Sequence, residues 1–403
     1  MNKIELLSPV GDWDCLLAAV QNGADSVYFG STLFNARASA NNFDVPTLKK
    51  AIQYCKLRNV RTFLTLNILI KNSEFNDAIN LAQKAYEFGI DALIVQDLGL
   101  ARYLIKNFPD MPIHGSTQMS IHNLEGVLEL QDLGFKRVVL ARELPLNEIQ
   151  YICKNSKIEI ETFIHGALCI SYSGQCLFSS IIGGRSGNRG KCAGPCRLPY
   201  ELLNHNNVSN KETTMDKGYL LSPKDLCTLD YLPQLIDAGV KCFKIEGRLK
   251  TEYYLASVVN AYRNAIDDYM KNPNEYDYNK YLKELEKTKT RGLTTFYFND
   301  RNNKDFQEYD GKQYNPNFEF GGKVLENQAN KTLIEIRNKL SIGDKMEILI
   351  PGKIEVEEFT IQKMWDSDTE EEITTVNPGK QGQTVKLELP IEAKTGWILR
   401  RRK

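Results

Sequence analysis

Hydrophobic residues along the first 270 positions fall into short runs that alternate with stretches of helical periodicity. Strand-like runs occupy 4–8, 26–29, 61–66, 92–95, 112–114, 137–140 and 158–163. Between them, 12–22, 74–88, 98–107, 123–133 and 146–154 gather their apolar residues on one helical face, as Leu16, Leu17, Ala19 and Val20 do in the first. Gly23, Gly89, Gly134 and Gly239 stand where a helix must stop before a strand. The run 241–245 and a helix over 252–270 supply an eighth unit. Strands that alternate with helices pair in parallel through crossovers, so eight units predict an α/β fold, a closed (β/α)8 TIM-like barrel. An open doubly wound sheet is the alternative. No Gly-x-Gly-x-x-Gly follows the first strand, which argues against a dinucleotide site.

This barrel occupies 1–270 and is interrupted after its seventh strand by a cysteine-rich insertion at about 166–222. The insertion ends in a predicted hairpin, Tyr200-Glu-Leu-Leu against Gly218-Tyr-Leu-Leu. Residues 271–315 read as a helical and linker segment, with a charged helix over 278–289 and a polar stretch from Asn299. From 316 to 403 the pattern is all-β, with strands at 331–336, 345–350, 355–361, 384–389 and 396–400 and turns at Gly343-Asp, Pro351-Gly and Pro378-Gly. A small C-terminal β-barrel domain is expected, with a frayed Arg400-Arg-Arg-Lys403 tail. The acidic run 366–372 reads as a solvated loop.

Composition narrows the function classes. The hydrophobic and charged fractions, 42% and 25%, are those of a globular protein. No apolar run reaches membrane-spanning length, and the N-terminus enters a strand without a signal-peptide core, so a cytoplasmic protein is expected. Lys+Arg and Asp+Glu balance at 51 each, which disfavours indiscriminate nucleic-acid binding. A local basic patch remains: Arg185, Arg189, Lys191 and Arg197 interleave with cysteines. It reads either as an RNA contact or as a solvated loop.

Five of the nine cysteines lie in or just beyond the insertion: Cys169 and Cys176 in His165-Gly-Ala-Leu-Cys-Ile-Ser-Tyr-Ser-Gly-Gln-Cys176, then Cys192 and Cys196 in Lys191-Cys-Ala-Gly-Pro-Cys-Arg197, with Cys227 shortly after it. Four of these five are inside the insertion proper, and Cys227 follows in Ser222-Pro-Lys-Asp-Leu-Cys227. Thiolates on glycine-rich loops suit a soft metal centre, and in a reducing compartment clustered cysteines are metal ligands more often than disulfides. The spacing is not that of a zinc finger, though zinc on Cys192 and Cys196 is a fallback. Cys169 and His165 could alternatively form a nucleophile–base pair. Cys15, Cys55, Cys153 and Cys242 sit in apolar patterns and read as core residues. There is neither a His-Glu-x-x-His nor a Gly-x-Ser-x-Gly motif.

These stretches resemble a known family. Glu5-Leu-Leu-Ser-Pro-Val-Gly, Asn22-Gly-Ala-Asp-Ser-Val-Tyr-Phe-Gly30, the His165–Cys176 and Lys191–Arg197 segments, Ser222-Pro-Lys-Asp-Leu226, Lys244-Ile-Glu-Gly-Arg-Leu-Lys250 and Arg291-Gly-Leu-Thr-Thr295 are similar to the collagenase-like peptidase family U32. The resemblance runs over about 3–300, and the β-rich end matches the longer members. It implies an oxygen-independent hydroxylase in the branch that converts a transfer-RNA wobble uridine to 5-hydroxyuridine. Implied with it are a 4Fe-4S cluster and prephenate as co-substrate. It further implies Cys169, Cys176, Cys192 and Cys227 as metal ligands, with Cys196 as a fifth cysteine that replaces one of them in some relatives. The family also contains proteins named as peptidases and proteins that work as homologous pairs. A peptidase, or a subunit in a homo- or hetero-dimer, is therefore the alternative.

Polar residues at predicted strand ends would converge on the barrel mouth. They include Asn35, Arg37, Asn67, Gln96, Asp97, His114, Ser116, Gln118, Arg142, Glu143, His165, Glu246 and Arg248. His165 and Glu246 are the catalytic candidates. Arg37, Arg142 and Arg248 are the candidates for a small dicarboxylate, because a guanidinium holds carboxylate oxygens in pairs; each could equally be a structural ion pair. His122 and His205 read as surface residues.

Overall fold

The computed structural model describes residues 3–201, 218–298, 306–311, 317–328, 331–379 and 382–403. The turn of the predicted hairpin, His205 and most of the linker after Asn299 lie outside the described residues. Strands β1 (Glu5–Pro9), β2 (Ser26–Gly30), β3 (Arg61–Leu66), β4 (Ala92–Val95), β5 (Ile113–Gly115), β6 (Arg137–Val139) and β7 (Glu159–Ala167) pair in parallel, each with the next. Two extra elements follow β7 before the ring closes. Strand β8 (Asp225–Cys227) runs antiparallel against the end of β7, and β9 (Cys242–Ile245) pairs in parallel with both β7 and β1. The eight parallel strands thus form the expected closed TIM-like barrel, with β8 an appendage at its rim. Strand β10 (Leu293–Thr294) adds to β8, so part of the 271–315 segment packs against the barrel instead of serving as a linker.

Helices α1 (Trp13–Gln21), α2 (Val45–Lys56), α3 (Phe75–Glu87), α4 (Leu98–Asn107), α5 (Leu124–Asp132) and α6 (Leu146–Asn155) fill the crossovers, followed by the short α7 (Phe178–Gly183) in the insertion, α8 (Leu232–Asp237), the long α9 (Glu252–Lys271) and α10 (Tyr278–Leu285). Asp12, Asp44, Asp97 and Asn123 cap four of them by accepting from backbone amides of the first turn. All four helix-stopping glycines have positive φ, from 83° to 99°, the conformation glycine adopts at least cost.

The barrel interior combines an apolar group, Leu7, Tyr28, Phe63, Ala92, Ile94 and Cys242, with a buried ionic network. Arg137 donates to Glu5 and Glu159 at 2.6 Å and lies 3.3 Å from Glu161; Lys244 lies 2.7 Å from the other oxygen of Glu161. These charges sit near the start of the strands, on the opposite side from the mouth.

The C-terminal domain contains β11 (Phe318–Gln328), β12 (Lys331–Ile336), β13 (Leu340–Ser341), β14 (Lys345–Leu349), β15 (Glu357–Thr360), β16 (Met364–Asp366), β17 (Thr375–Val376), β18 (Thr384–Leu387) and β19 (Ile398–Arg402). Seven of these form one antiparallel sheet in the order β15-β14-β19-β11-β12-β18-β16, around a core that includes Val324, Ile334, Ile348, Val385 and Leu399. The outer strands β15 and β16 are not paired with each other among the described residues. The expected frayed tail is instead the central strand β19. Arg400 is fully buried and donates to Glu347 and, at 2.7 Å, to Glu284 of α10, which ties the two domains together. Arg337 to Glu252 at 2.6 Å and Lys323 to Asp14 at 2.8 Å add to this docking. Among the described residues no helix is long and apolar enough to cross a membrane.

Candidate functional site

A pocket of about 370 Å3 opens at the mouth of the barrel beneath the insertion. The barrel contributes Arg37 from the loop after β2, Gln118 from that after β5, Arg142 from that after β6 and Glu246 from that after β9. The insertion contributes Cys169, Cys176, Cys192 and Cys196. Its backbone reaches the barrel closely because glycine stands at the points of approach. A Cβ on Gly166 would lie 2.3 Å from the carbonyl oxygen of Glu246, and one on Gly190 would lie 2.2 Å from that of Asn35. Both residues have positive φ. The amide of Ala38 donates to the Gly190 carbonyl at 3.0 Å, and buried Glu143 accepts from the amide and hydroxyl of Ser173 at 3.1 and 3.0 Å.

The thiols differ in environment. Cys169 and Cys192 are exposed, and Cys176 and Cys196 are half-buried. Burial pushes the Cys196 thiol up; Arg197 opposes this, and the fields of Cys169, Cys192 and Cys176 push it further. Cys169, Cys176 and Cys192 therefore lie close enough to Cys196 to oppose its ionisation. Among the described residues no three Cys, His, Asp or Glu side chains converge on a single point as ligands of one ion. A four-iron cluster makes a different demand, since each thiolate binds a different iron, and four cysteines around one pocket are the donor set it takes.

Cys227, expected among the ligands, is placed elsewhere. It sits on β8, 6% exposed, and accepts from the hydroxyl of Tyr262 at 3.6 Å; burial raises its thiol pKa to about 11. It lines a different cavity, whereas Cys196 lines the mouth pocket with the other three. The antiparallel register of β8 against β7, with Cys227 opposite His165, holds the thiol under the barrel wall.

The two catalytic candidates separate. Glu246 lines the pocket. Burial would raise its pKa, but Arg37, Arg142 and Arg248 outweigh burial and hold it below the usual carboxylate range. Its Oε1 lies 3.1 Å from Nη2 of Arg37. His165 is buried, 1% exposed, between the rings of Tyr254 and Tyr262, and does not line the pocket. Burial first, and then Lys250, lowers its pKa to about 3, so it is neutral at ordinary pH. A nucleophile–base pair between Cys169 and His165 is therefore not formed.

The three arginines separate as well. Arg248 is 3% exposed and turned inward: it donates to Thr65 at 3.0 Å and to Asn35 at 2.8 Å, and also to Asn42. It fixes the loop after β2 and does not line the pocket. Arg37 is half committed through its pair with Glu246. Arg142 donates one Nη1 bond to the Ala167 carbonyl at 2.7 Å, packs its guanidinium 5.0 Å from the Phe163 ring and has no partner for Nε among the described residues. The Nε of Arg248 is likewise unpartnered, but Arg142 lines the pocket and Arg248 does not.

Of the basic residues assigned to RNA, Arg185 and Lys191 are exposed. Arg189 is paired with Glu74 at 2.5 Å, because the insertion lies against the start of α3. Arg197 braces the insertion to the barrel by donating to the carbonyls of Pro223 at 2.5 Å and of Leu168. Sequence reasoning missed Lys250 and Arg291, which also line the pocket. Both share Asp225 of β8, at 3.9 and 2.6 Å. Their places in Lys244–Lys250 and Arg291–Thr295, two of the family-like segments, were the available signal.

A TIM-like barrel whose mouth is roofed by a thiol-bearing insertion defines the class. The chain belongs to peptidase family U32: the model of that family matches residues 11–308, and the model of the U32 C-terminal domain matches 316–400. It is 33% identical over 92% of its length to tRNA hydroxylation protein P1 of Bacillus subtilis, 88% of which is covered. It is 35% identical over 88% of its length to a 23S rRNA 5-hydroxycytidine synthase of Escherichia coli, of which 53% is covered. It is also 32% identical over 98% of its length to a protein of Porphyromonas gingivalis named collagenase, with 96% of that protein covered.

Proposed function

We propose that this protein is an RNA-modifying enzyme that hydroxylates a transfer-RNA wobble uridine to 5-hydroxyuridine without molecular oxygen. The observation that carries the proposal is the opening of four insertion thiols and the Arg142–Arg37–Glu246 group onto one pocket. In this reading Cys169, Cys176, Cys192 and Cys196 hold a 4Fe-4S cluster. Such a cluster supplies electron transfer or Lewis-acid binding of an oxygen ligand. Arg142 anchors a carboxylate of a prephenate-like dicarboxylate, with Arg37 as the second cation. Glu246, held ionised, keeps Arg37 in place and is the one carboxylate at hand to take a proton from a bound substrate. The uridine must leave its stack to reach the pocket, as bases do in enzymes that act on them. The names of the relatives from Bacillus subtilis and Escherichia coli support RNA hydroxylation. Against a peptidase stands the sequestration of His165 from the thiols.

The test is nucleoside mass spectrometry of transfer RNA from a deletion strain complemented with variants. Loss of 5-hydroxyuridine derivatives on deletion and their return with wild type are expected. Cys196→Ser should fail to restore them and should lose iron on anaerobic purification, whereas Cys227→Ser should keep both. Unchanged nucleosides in the deletion strain would end the proposal. Iron loss in Cys227→Ser but not in Cys196→Ser would reverse the ligand assignment.

A further inference from the structure

A second cavity, of about 380 Å3, lies between the barrel and the C-terminal domain. Its walls come from the start of α9, from the segment joining α10 to β10, and from β11. Lys250, Arg291 and the exposed Leu249 line both this cleft and the thiol pocket, so the two cavities adjoin along one ridge.

The ridge is crowded with positive charge. Lys250 lies over the Tyr254 ring at 4.8 Å and 3.9 Å from Asp225, and Arg291 takes the other oxygen of the same carboxylate at 2.6 Å. Lys289 is exposed, and its ammonium makes no ion pair among the described residues. Burial, and after it the fields of Arg291, Arg197 and Lys289 working against the pull of Asp225, lowers the pKa of Lys250. Lys250 and Arg291 thus share one buried carboxylate, with Arg197 and Lys289 adding their positive fields at Lys250. The acid on the far wall of the cleft, Glu319, is occupied by Arg401. Such an excess is costly unless an anion joins it. Phe318 and Phe320 on β11 are only partly buried and give the same cleft aromatic walls. Cations beside aromatic faces, continuous with a pocket of nucleotide size, match a single strand of nucleic acid more closely than a peptide.

We infer that Lys250, Lys289 and Arg291 form a phosphate-binding subsite that holds the RNA backbone next to the nucleotide in the thiol pocket, and that the adjoining nucleotide enters the interdomain cleft. This rests on the reading of the protein as an RNA-modifying enzyme and adds the path of the strand: it runs along the β8–β10 side of the mouth, away from Arg185 and Lys191. The C-terminal domain then forms one wall of the substrate channel, which gives its rigid docking onto α9 and α10 a purpose.

The experiment is fluorescence-anisotropy titration of labelled, unmodified transfer RNA against full-length protein purified without air, from about 50 to about 200 mM salt. Lys289→Gln should weaken binding roughly three- to tenfold and reduce the slope of log K against log salt by about 0.7–0.9, the share of one phosphate. Lys250→Gln combined with Lys289→Gln should lower the slope further, and Lys289→Arg should restore it. Lys136→Gln, which precedes β6 at the opposite end of the barrel, should bind as wild type does. Unchanged affinity and slope in Lys289→Gln, with a folded circular-dichroism spectrum, would overturn the subsite while leaving the proposed function standing. Failure of the wild type to bind any RNA would overturn both. Calorimetry with inorganic pyrophosphate separates a small phosphate ester from a backbone phosphate. Pyrophosphate binding abolished in Lys289→Gln, with RNA binding intact, would assign the ridge to a small molecule and also overturn the inference.

Discussion

Glu161 offers the sharpest test of how the barrel carries its mouth. The side chain is fully buried inside the barrel, 2.7 Å from the ammonium of Lys244 and 3.3 Å from the guanidinium of Arg137. Arg137 keeps Glu5 and Glu159 if Glu161 is removed. Lys244, only 4% exposed, keeps no carboxylate among the described residues, only the rings of Tyr28 at 4.4 Å and Phe163 at 5.4 Å. Glu161→Leu therefore strands one buried ammonium, a change worth about 3–5 kcal/mol. That is a large part of a typical stability of about 5–15 kcal/mol. Adding Lys244→Met removes the stranded charge, and the double variant should recover most of the loss. Urea unfolding followed by far-ultraviolet circular dichroism reads both, with a midpoint shift of roughly 1 M expected for the single change. The pH dependence has a definite sign. Burial raises the pKa of Glu161, but Lys244 and Arg137 outweigh it and hold the carboxyl below its ordinary value. Its contribution is therefore fully present above the unfolded value of about 4.3 and is lost as pH falls through the lower folded value. A Glu161→Leu penalty under about 1 kcal/mol, or a double variant no more stable than the single, would refute the reasoning.

Three further outcomes follow from the same contacts. Arg197→Ala should expose the insertion to limited proteolysis and loosen all four thiols, since its guanidinium is the brace to the Leu168 and Pro223 carbonyls; Arg185→Ala should leave proteolysis unchanged. Gly166→Ala puts a methyl 2.3 Å from the Glu246 carbonyl at a φ of 109° and should abolish modification, whereas Gly239→Ala, at 92° with nothing within 4 Å of the added carbon, should cost only about 1–3 kcal/mol of strain, as read by thermal unfolding. In metal-free protein, iodoacetamide with peptide mass spectrometry should label exposed Cys169 and Cys192 first and buried Cys15, Cys55 and Cys242 only after denaturation; early labelling of Cys242 would contradict its place inside the barrel.

The barrel was legible because its information is periodic. Apolar runs recur eight times, with helical faces between them and four stop glycines, each of which has the positive φ its position required. What escaped was whatever depends on contacts between distant segments. Helix α2 was passed over, although Asp44 and Pro46 mark its start. Strand β11 was hidden by the charged and glycine residues of Phe318–Gln328, and the Arg400–Arg402 tail looked disposable although Arg400 is the most deeply ion-paired residue joining the domains. Insertion glycines were read as folding tightly around metal. Gly166 and Gly190 are instead where the insertion backbone rests on the barrel loops.

At the site, the sequence could say which residues follow which strands but not where their side chains turn. Arg37, Arg142 and Arg248 were indistinguishable as strand-end arginines. Placement separates them: Arg248 is buried away from the pocket lining and spends its terminal nitrogens on Thr65, Asn35 and Asn42, Arg37 is paired with Glu246, and Arg142 lines the pocket with its Nη1 on the Ala167 carbonyl. Cysteine spacing likewise could not distinguish Cys196 from Cys227, which are 31 positions apart and bracket the predicted hairpin. Their surroundings do. Cys227 is a buried thiol with a hydroxyl partner, raised chiefly by burial. Cys196 is held protonated partly by three other cysteines. A metal centre takes its cysteine ligands as thiolates, so binding one would turn the four side chains into a cross-link. In the proposed holoenzyme the insertion is then fastened twice, by Arg197 to the barrel and by its thiols to the centre, so loss of either fastening should open the same pocket.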